Sequence, residues 1–252
     1  MKTRPTVLFL YTEIAEYFLS ACEQLAETCD VVVVRWPVNN EAPFLFQEDS
    51  KVVLLDRNKL QGNSLLQKIK SIKPDVIFCS GWLDKGYLVV VKSYAGKIPT
   101  VISLDNHWKG SLKQRLTSVG ARFSFLKNFD YAWVPGEEQF KYALKLGFKE
   151  QDIFTGYYTA NLSRYNQVFA GQLSNKKVNY PKQFLYLGRY VEHKGIFDLW
   201  EAYAKYRQKG GQWNLLCAGT GDQWENRKLI EGLEHIGFVQ PDHIPELLEM
   251  TG

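Results

Sequence analysis

Nowhere does the chain carry about 18 consecutive apolar residues, so no stretch reads as a helix able to cross a bilayer. Cysteine is scarce. Cys22, Cys29, Cys79 and Cys217 form no CxxC pair and stand at no metal-ligand spacing from a histidine. Two of them lie inside apolar, strand-like runs, so they read as small buried hydrophobes in a reducing compartment. His107, His193, His235 and His243 are scattered, with no two-histidine spacing that a carboxylate could complete, which argues against a zinc-type site. Excess charge is also missing. A net charge of +4 favours anionic partners only mildly and does not distinguish nucleic acid, membrane surface and phosphorylated substrate. The opening MKTRPTVLFLYTE is basic, but its apolar part is short, contains Pro5 and meets Glu13 without a small-residue cleavage site. It reads as a first β-strand rather than a signal. The expectation is a cytoplasmic protein whose membrane contacts, where they exist, are peripheral.

What is present is an ordinary globular composition, 45% apolar and 23% charged over 252 residues. That length suffices for one large domain or two unequal ones. Short runs rich in β-branched residues recur at 6–11, 30–35, 51–55, 75–79, 100–104 and 131–134, and their near-continuous hydrophobicity suggests strands covered on both faces. Between them lie segments of helical period at 17–28, 64–72, 85–94, 112–119 and 137–146. This alternation predicts a doubly wound α/β domain over residues 1–165. Residues 166–183, NQVFAGQLSNKKVNYPKQ, are polar, contain Gly171 and Pro181 and lack a sustained period, so they read as a linker. The rhythm then restarts with strands at 184–187, 213–218 and 236–239 and helices at 196–207, around 224–231 and from 244. Residues 184–252 thus read as a second Rossmann-like domain that is incomplete, since such domains usually hold five or six strands.

The stretch FLYLGRYVEHKGIFDLWEAY carries the sharpest signal. Ile196, Leu199, Trp200 and Tyr203 fall on one helical stripe, placing a helix start near Gly195. Ligands of open α/β sheets sit beyond the carboxyl ends of strands, where helix N-termini offer free amides and the positive end of a dipole. Arg189 and Lys194 both project from such a turn. They suit a diphosphate, whose charge is spread over two centres, and they suit equally a solvated pair of loop cations. A second turn, Cys217-Ala218-Gly219-Thr220-Gly221-Asp222, follows the strand WNLLCA. Its glycines allow close approach of a ligand or merely a tight turn. GTG is not GxGxxG, and no acidic strand end follows at the right distance, so a dinucleotide-dependent oxidoreductase is disfavoured.

Taken in order, YLGRYVEHKGIFDLWEAY, LLCAGTGD and IGFVQPDHIPELL resemble the donor-binding domain of the glycosyltransferase group 1 family (family 4), retaining sugar transferases of GT-B architecture. The resemblance covers roughly residues 184–248. It implies a GT-B-like α/β fold and a metal-independent transfer from a nucleoside-diphosphate sugar to a saccharide or lipid-linked acceptor, with no cofactor beyond that co-substrate. It places Gly188, Arg189 and Lys194 at the donor diphosphate and His107 facing the transferred sugar. Fixed cations aimed at a departing phosphate would stabilise the transition state more than the ground state.

In the first half, Ser80-Gly81-Trp82 and Asp105-Asn106-His107 follow strands and are expected to line the cleft on the acceptor side. Glu137 and Glu138 open a helix, where acids complementing the dipole are the simpler reading of the pair. Residues 106–129 hold Lys109, Lys113, Arg115, Arg122 and Lys127 but no acid, with Phe123, Phe125 and Phe129 alongside and a stripe of Leu112, Leu116 and Val119. This is either an anionic-lipid contact or an ordinary surface helix. No nucleic-acid module surrounds it, so nucleic acid is not an expected partner. Two departures from the resemblance stand out. Tyr11-Thr12-Glu13-Ile14 replaces the usual glycines after the first strand, and the family's paired glutamates, with seven residues between them, do not occur before Gly252. Two functions therefore stay open: a transferase, and a non-catalytic or split subunit that binds acceptor or partner. A sugar-nucleotide epimerase of similar architecture is a related enzymatic alternative.

Overall fold

The computed structural model describes residues 4–46 and 50–252. The chain forms two compact units, the first within Met1–Pro37 and Gln47–Ala160, the second from Val38–Phe46 and Asn161–Gly252.

In the first unit β1 (Thr6–Leu10), β2 (Asp30–Arg35), β3 (Val53–Asp56), β4 (Val76–Ser80), β5 (Thr100–Ser103), β6 (Tyr131–Trp133) and β7 (Ile153–Phe154) form one parallel sheet in the order β3-β2-β1-β4-β5-β6-β7. Its connections include α1 (Glu16–Leu25), α2 (Asn63–Ile72), α3 (Lys85–Tyr94), α4 (Leu112–Phe123) and α5 (Glu137–Leu146). The order reverses between β1 and β4, which makes the carboxyl ends of those two strands the natural crevice of the sheet. Helices cover the sheet through residues spaced four apart: Phe18 and Cys22 of α1, Leu65 and Ile69 of α2, Tyr142 and Leu146 of α5. Burial pushes the Cys22 thiol up to about 12 and Cys79 further, so both remain inert thiols packed as hydrophobes.

One largely buried carboxylate ties three elements of this unit together. Asp84 caps α3 by accepting from the amides of Gly86 (2.8 Å) and Tyr87 (3.1 Å). It also takes a forked contact from Arg57 (2.9 and 3.1 Å) and a third bond from Trp36 Nε1 (3.0 Å). Burial alone pushes this carboxyl up, but the bonds from Arg57, Trp36 and the Tyr87 amide outweigh it and hold it below the usual range.

In the second unit α6 (Leu162–Val178) leads to β8 (Gln183–Leu187), α7 (Ile196–Gln208), β9 (Asn214–Ala218), β10 (Leu233–Gly237) and α8 (Ile244–Met250). Among the described residues the three strands are parallel in the order β10-β9-β8. Ile196, Trp200 and Tyr203 of α7 are buried against Leu215, Cys217 and Tyr190.

Four expectations are corrected. Residues 166–178 are not an extended linker but most of α6, capped by Asn161, whose side chain accepts from the Arg164 amide (3.1 Å). The helix is anchored by Lys176, whose amine donates to the carbonyls of Leu248 and Thr251; none of its side chains is fully buried, so no core imposes a stripe. The helix expected around 224–231 is a single 3-10 turn, Trp224–Asn226. The strand expected at 236–239 lies at Leu233–Gly237. Finally, residues 38–46 join the second unit: the Thr220 hydroxyl donates to the Glu41 carbonyl (2.7 Å) and the Gln240 amide group to the Pro43 carbonyl (2.8 Å).

Asp84→Ala leaves Arg57 in a site where its side chain is only 14% exposed and without its carboxylate. The expected loss in a urea unfolding titration is about 3–5 kcal/mol. Because the folded pKa lies below the unfolded value of about 3.9, this contribution is present above that value and fades as pH falls through the folded pKa. The gap between wild type and variant should therefore narrow in acid.

Candidate functional site

Two sets of residues emerge, one in each unit. In the second, β8 and β9 end in turns that lie backbone against backbone. The Gly188 amide donates to the Ala218 carbonyl (3.0 Å), the Tyr190 amide to Thr220 (2.9 Å) and the Gln223 amide to Tyr190 (2.9 Å). A side chain on Gly219 would place its Cβ 1.9 Å from the Gly188 carbonyl oxygen, and one on Gly221 would lie 2.4 Å from that of Tyr190. Gly219 also has φ of +143°. These two glycines are thus required for contact with the chain itself, which is what distinguishes the GTG turn from a simple tight turn.

The paired turns hold Arg189 at the surface between two anchored neighbours. The Tyr186 hydroxyl donates to the Arg189 carbonyl (2.8 Å). Tyr190 is wholly buried, with its hydroxyl bonded to His235 Nδ1 (2.8 Å) and the Cys217 carbonyl (3.3 Å). His235 Nε2 meets the Lys228 carbonyl (2.9 Å), so the ring is held by a hydrogen bond at each nitrogen. The guanidinium of Arg189 lies 3.6 Å from the Glu41 carboxylate, a partner that the sequence reading did not identify. Lys194 ends a 3-10 turn, Glu192–Lys194, and is exposed. Gly195, at φ of +72°, then starts α7 with no side chain capping its first turn. An uncapped first turn leaves amide hydrogens pointing outward, a favourable place for an anion, though Asp198 shares that turn.

In the first unit a cavity of about 320 Å³ opens at the carboxyl ends of β1, β4 and β5, where the strand order reverses. Ser80, Gly81, Trp82, Asp105 and Asn106 line it. Gly81 has φ of +64° and donates its amide to the Ser103 carbonyl (3.0 Å), turning the chain away from β4. Ser80 Oγ accepts from the Thr12 amide (3.1 Å), joining the ends of β1 and β4. His107 is exposed and is not among the lining residues; its carbonyl accepts from Gln114 Nε2 (3.0 Å).

The sequence reading missed the tyrosines of this cavity. Tyr11, Tyr17, Tyr157 and Tyr158 line it together with Phe18. Tyr157 and Tyr158 follow β7, the two-residue strand that was not anticipated, and TGYY directly after IF was the available signal. Tyr11 and Phe18 stack at 4.2 Å between centroids, and Tyr157 packs edge-on against Trp133 at 4.8 Å. Burial raises the Tyr157 hydroxyl to about 12 and Tyr11 well above its ordinary value, so both keep their protons and serve as neutral donors. The lining includes Glu13 and Asp105 but no lysine, arginine or histidine.

Comparison with known proteins bears directly on the second unit. Residues 172–252 match the family of glycosyl transferases group 1. The matched region contains the paired turns, Arg189, Lys194 and α7. Among solved structures, the HepE protein of Anabaena, crystallised with UDP and glucose, is 15% identical with a TM-score of 0.65 over 98% of this chain and 72% of its own. The UDP-GlcNAc 2-epimerase of Neisseria meningitidis, bound to UDP-GlcNAc, is 13% identical with a TM-score of 0.62 over 98% and 76%. A glycosyltransferase of Rickettsia africae is 12% identical with a TM-score of 0.62 over 98% and 71%. At these identities the likeness is one of fold: this chain has the α/β fold seen in GT-B glycosyltransferases and the related epimerases. No curated protein sequence matches the chain.

Gly221→Ala should force the two turns apart, because its added carbon meets backbone rather than a movable side chain. The expected cost is about 1–3 kcal/mol in chemical denaturation. An unchanged midpoint would show that the turns are not held in this register.

Proposed function

We propose that the chain belongs to a retaining glycosyltransferase, cytoplasmic in location, that moves a hexosyl group from a nucleoside-diphosphate sugar to a saccharide, free or lipid-linked. What supports this reading is that Arg189 and Lys194 both lie in the short segment between the end of β8 and the uncapped start of α7, within the region that matches the group 1 family. In this reading both cations contact the diphosphate. Gly188 lets the backbone approach it, and the charge that develops as the glycosidic bond breaks meets groups already fixed in place. Arg189 begins in contact with Glu41, so a diphosphate must displace a carboxylate that it outcompetes in charge. His107 is assigned to hydrogen-bonding the transferred sugar.

The cavity of the first unit is the proposed acceptor site. Its rings offer flat apolar faces to the CH side of a sugar, and its hydroxyls, Asp105 and Asn106 offer partners for sugar hydroxyls. Two acids and no cation in the lining favour an uncharged ring over a phosphorylated or uronic one. Any phosphate of a lipid-linked acceptor would then lie outside this cavity.

The test is calorimetric titration with UDP, GDP and ADP. UDP comes first because it is present in the crystallised HepE protein. Arg189→Ala and Lys194→Ala, each confirmed to be folded, should each weaken binding of one nucleotide by about 1 kcal/mol or more, the scale of a lost charge-assisted bond. Glu41→Gln should instead tighten it, since it releases Arg189. Absence of binding to the folded chain, or binding indifferent to all three changes, would overturn the donor assignment. Free sugar and UDP released from UDP-GlcNAc without an acceptor would point to epimerase chemistry in place of transfer.

A further inference from the structure

The apolar stripe of α4 does not face the core. Leu112, Leu116, Val119 and Phe123 are 78%, 75%, 60% and 76% exposed. At about 100° per residue these four fall within about 60° of the helix circumference. Ser118 and Ala121, the buried residues of α4, lie on the opposite side, and their small side chains seat the helix on the rest of the unit. Isolated exposed apolar residues are normal, but four large ones in line along a single helix are not.

Charge tells what this stripe faces. Arg115 and Arg122 are exposed along one margin of it, and Lys109 and Lys127 are exposed just beyond its two ends. No acidic residue occurs from Asn106 to Phe129. The other aromatic residues of the segment are engaged elsewhere: Phe129 is buried in the core, and Phe125 packs on Trp82 at 5.4 Å. Of the three phenylalanines of the segment, Phe123 is thus the exposed one. An apolar ridge edged by cations, on a helix joined to its unit by its opposite face, has the form of an interfacial helix. Among the described residues no helix is long and apolar enough to cross a membrane.

We infer that α4 docks the chain on an anionic phospholipid bilayer, with Leu112, Leu116, Val119 and Phe123 entering the headgroup boundary and Arg115 and Arg122 meeting lipid phosphates. This assignment is independent of the donor site and stands or falls separately from it.

The experiment is flotation of the full chain with phosphatidylcholine vesicles, with and without phosphatidylglycerol. Binding is expected only when phosphatidylglycerol is present, and it should weaken as salt rises. Leu116→Gln combined with Phe123→Gln should lower partitioning by about tenfold or more. Arg115→Gln should reduce it several-fold while leaving the melting temperature unchanged. Leu112→Gln with Val119→Gln is a second apolar pair should the first disturb folding. Three results would overturn the inference: no flotation with anionic vesicles; flotation that ignores both apolar pairs, which would be adsorption of charge alone; or an oligomer in sedimentation velocity that the apolar pairs dissolve while vesicle binding is absent, which would assign the stripe to contact between copies of the chain.

Discussion

The candidate donor site depends on one constraint, the contact of backbone with backbone between the turns that end β8 and β9. Arg189 has a long, flexible side chain, and its position is useful only if its own main chain is fixed. Here the amides on either side of it, at Gly188 and Tyr190, are both committed to the neighbouring turn, and its carbonyl is held by Tyr186. That arrangement tolerates no Cβ at residues 219 and 221. Below it, the buried Tyr190 hydroxyl and the His235 ring, bonded in turn to the Lys228 carbonyl, form a hydrogen-bonded support for the turn. Fixing the backbone while leaving the charged head solvated avoids the desolvation cost of burying a guanidinium without a full set of partners.

The two units divide the polar chemistry between them. In the second, cations and an uncapped helix start are suited to concentrated negative charge. In the first, a cavity at the reversal of strand order carries tyrosines whose burial keeps them protonated, together with short polar side chains and two acids. The contrast follows from topology as well as composition. A parallel sheet brings the ends of β1, β4 and β5 together, so residues distant in sequence, such as Tyr11, Ser80 and Asp105, share one crevice. Aromatic platforms with neutral donors recognise a sugar by shape and hydroxyl pattern, whereas paired cations recognise a diphosphate largely by charge. Each set of residues is suited to one half of a transfer reaction.

Much of this was legible in the sequence because buried parallel strands announce themselves as unbroken apolar runs. The six strands expected before residue 135 all form, with no end displaced by more than two residues. The failures have physical causes. Strand β7 has two residues and therefore no periodicity to detect, and with it went the tyrosines that follow. Helix α6 has no fully buried residue, so capping by Asn161 and the bonds of Lys176, rather than a hydrophobic stripe, determine its extent. The Glu41–Arg189 contact joins residues far apart in the chain, and no local pattern encodes it. By contrast, the cations at 189 and 194 were visible because strand, turn and helix start follow one another within a few residues.

Helix α4 shows what hydrophobic periodicity can and cannot establish. The spacing of Leu112, Leu116, Val119 and Phe123 establishes a helix with one apolar side, and the structure bears that out. Periodicity says nothing about which side meets the core. In most helices the larger apolar residues win that competition, because burying them gains the most area. In α4 the inner face is instead occupied by Ser118 and Ala121, and the sequence follows it with Leu126 and Phe129, which reach the core from outside the helix. Those residues supply the packing that α4 itself withholds, so its large side chains are dispensable for folding. Retaining four of them in solvent carries a solubility cost that a purely structural helix would have no reason to bear, and bordering them with cations is compatible with an anionic surface and unfavourable for an apolar or cationic one.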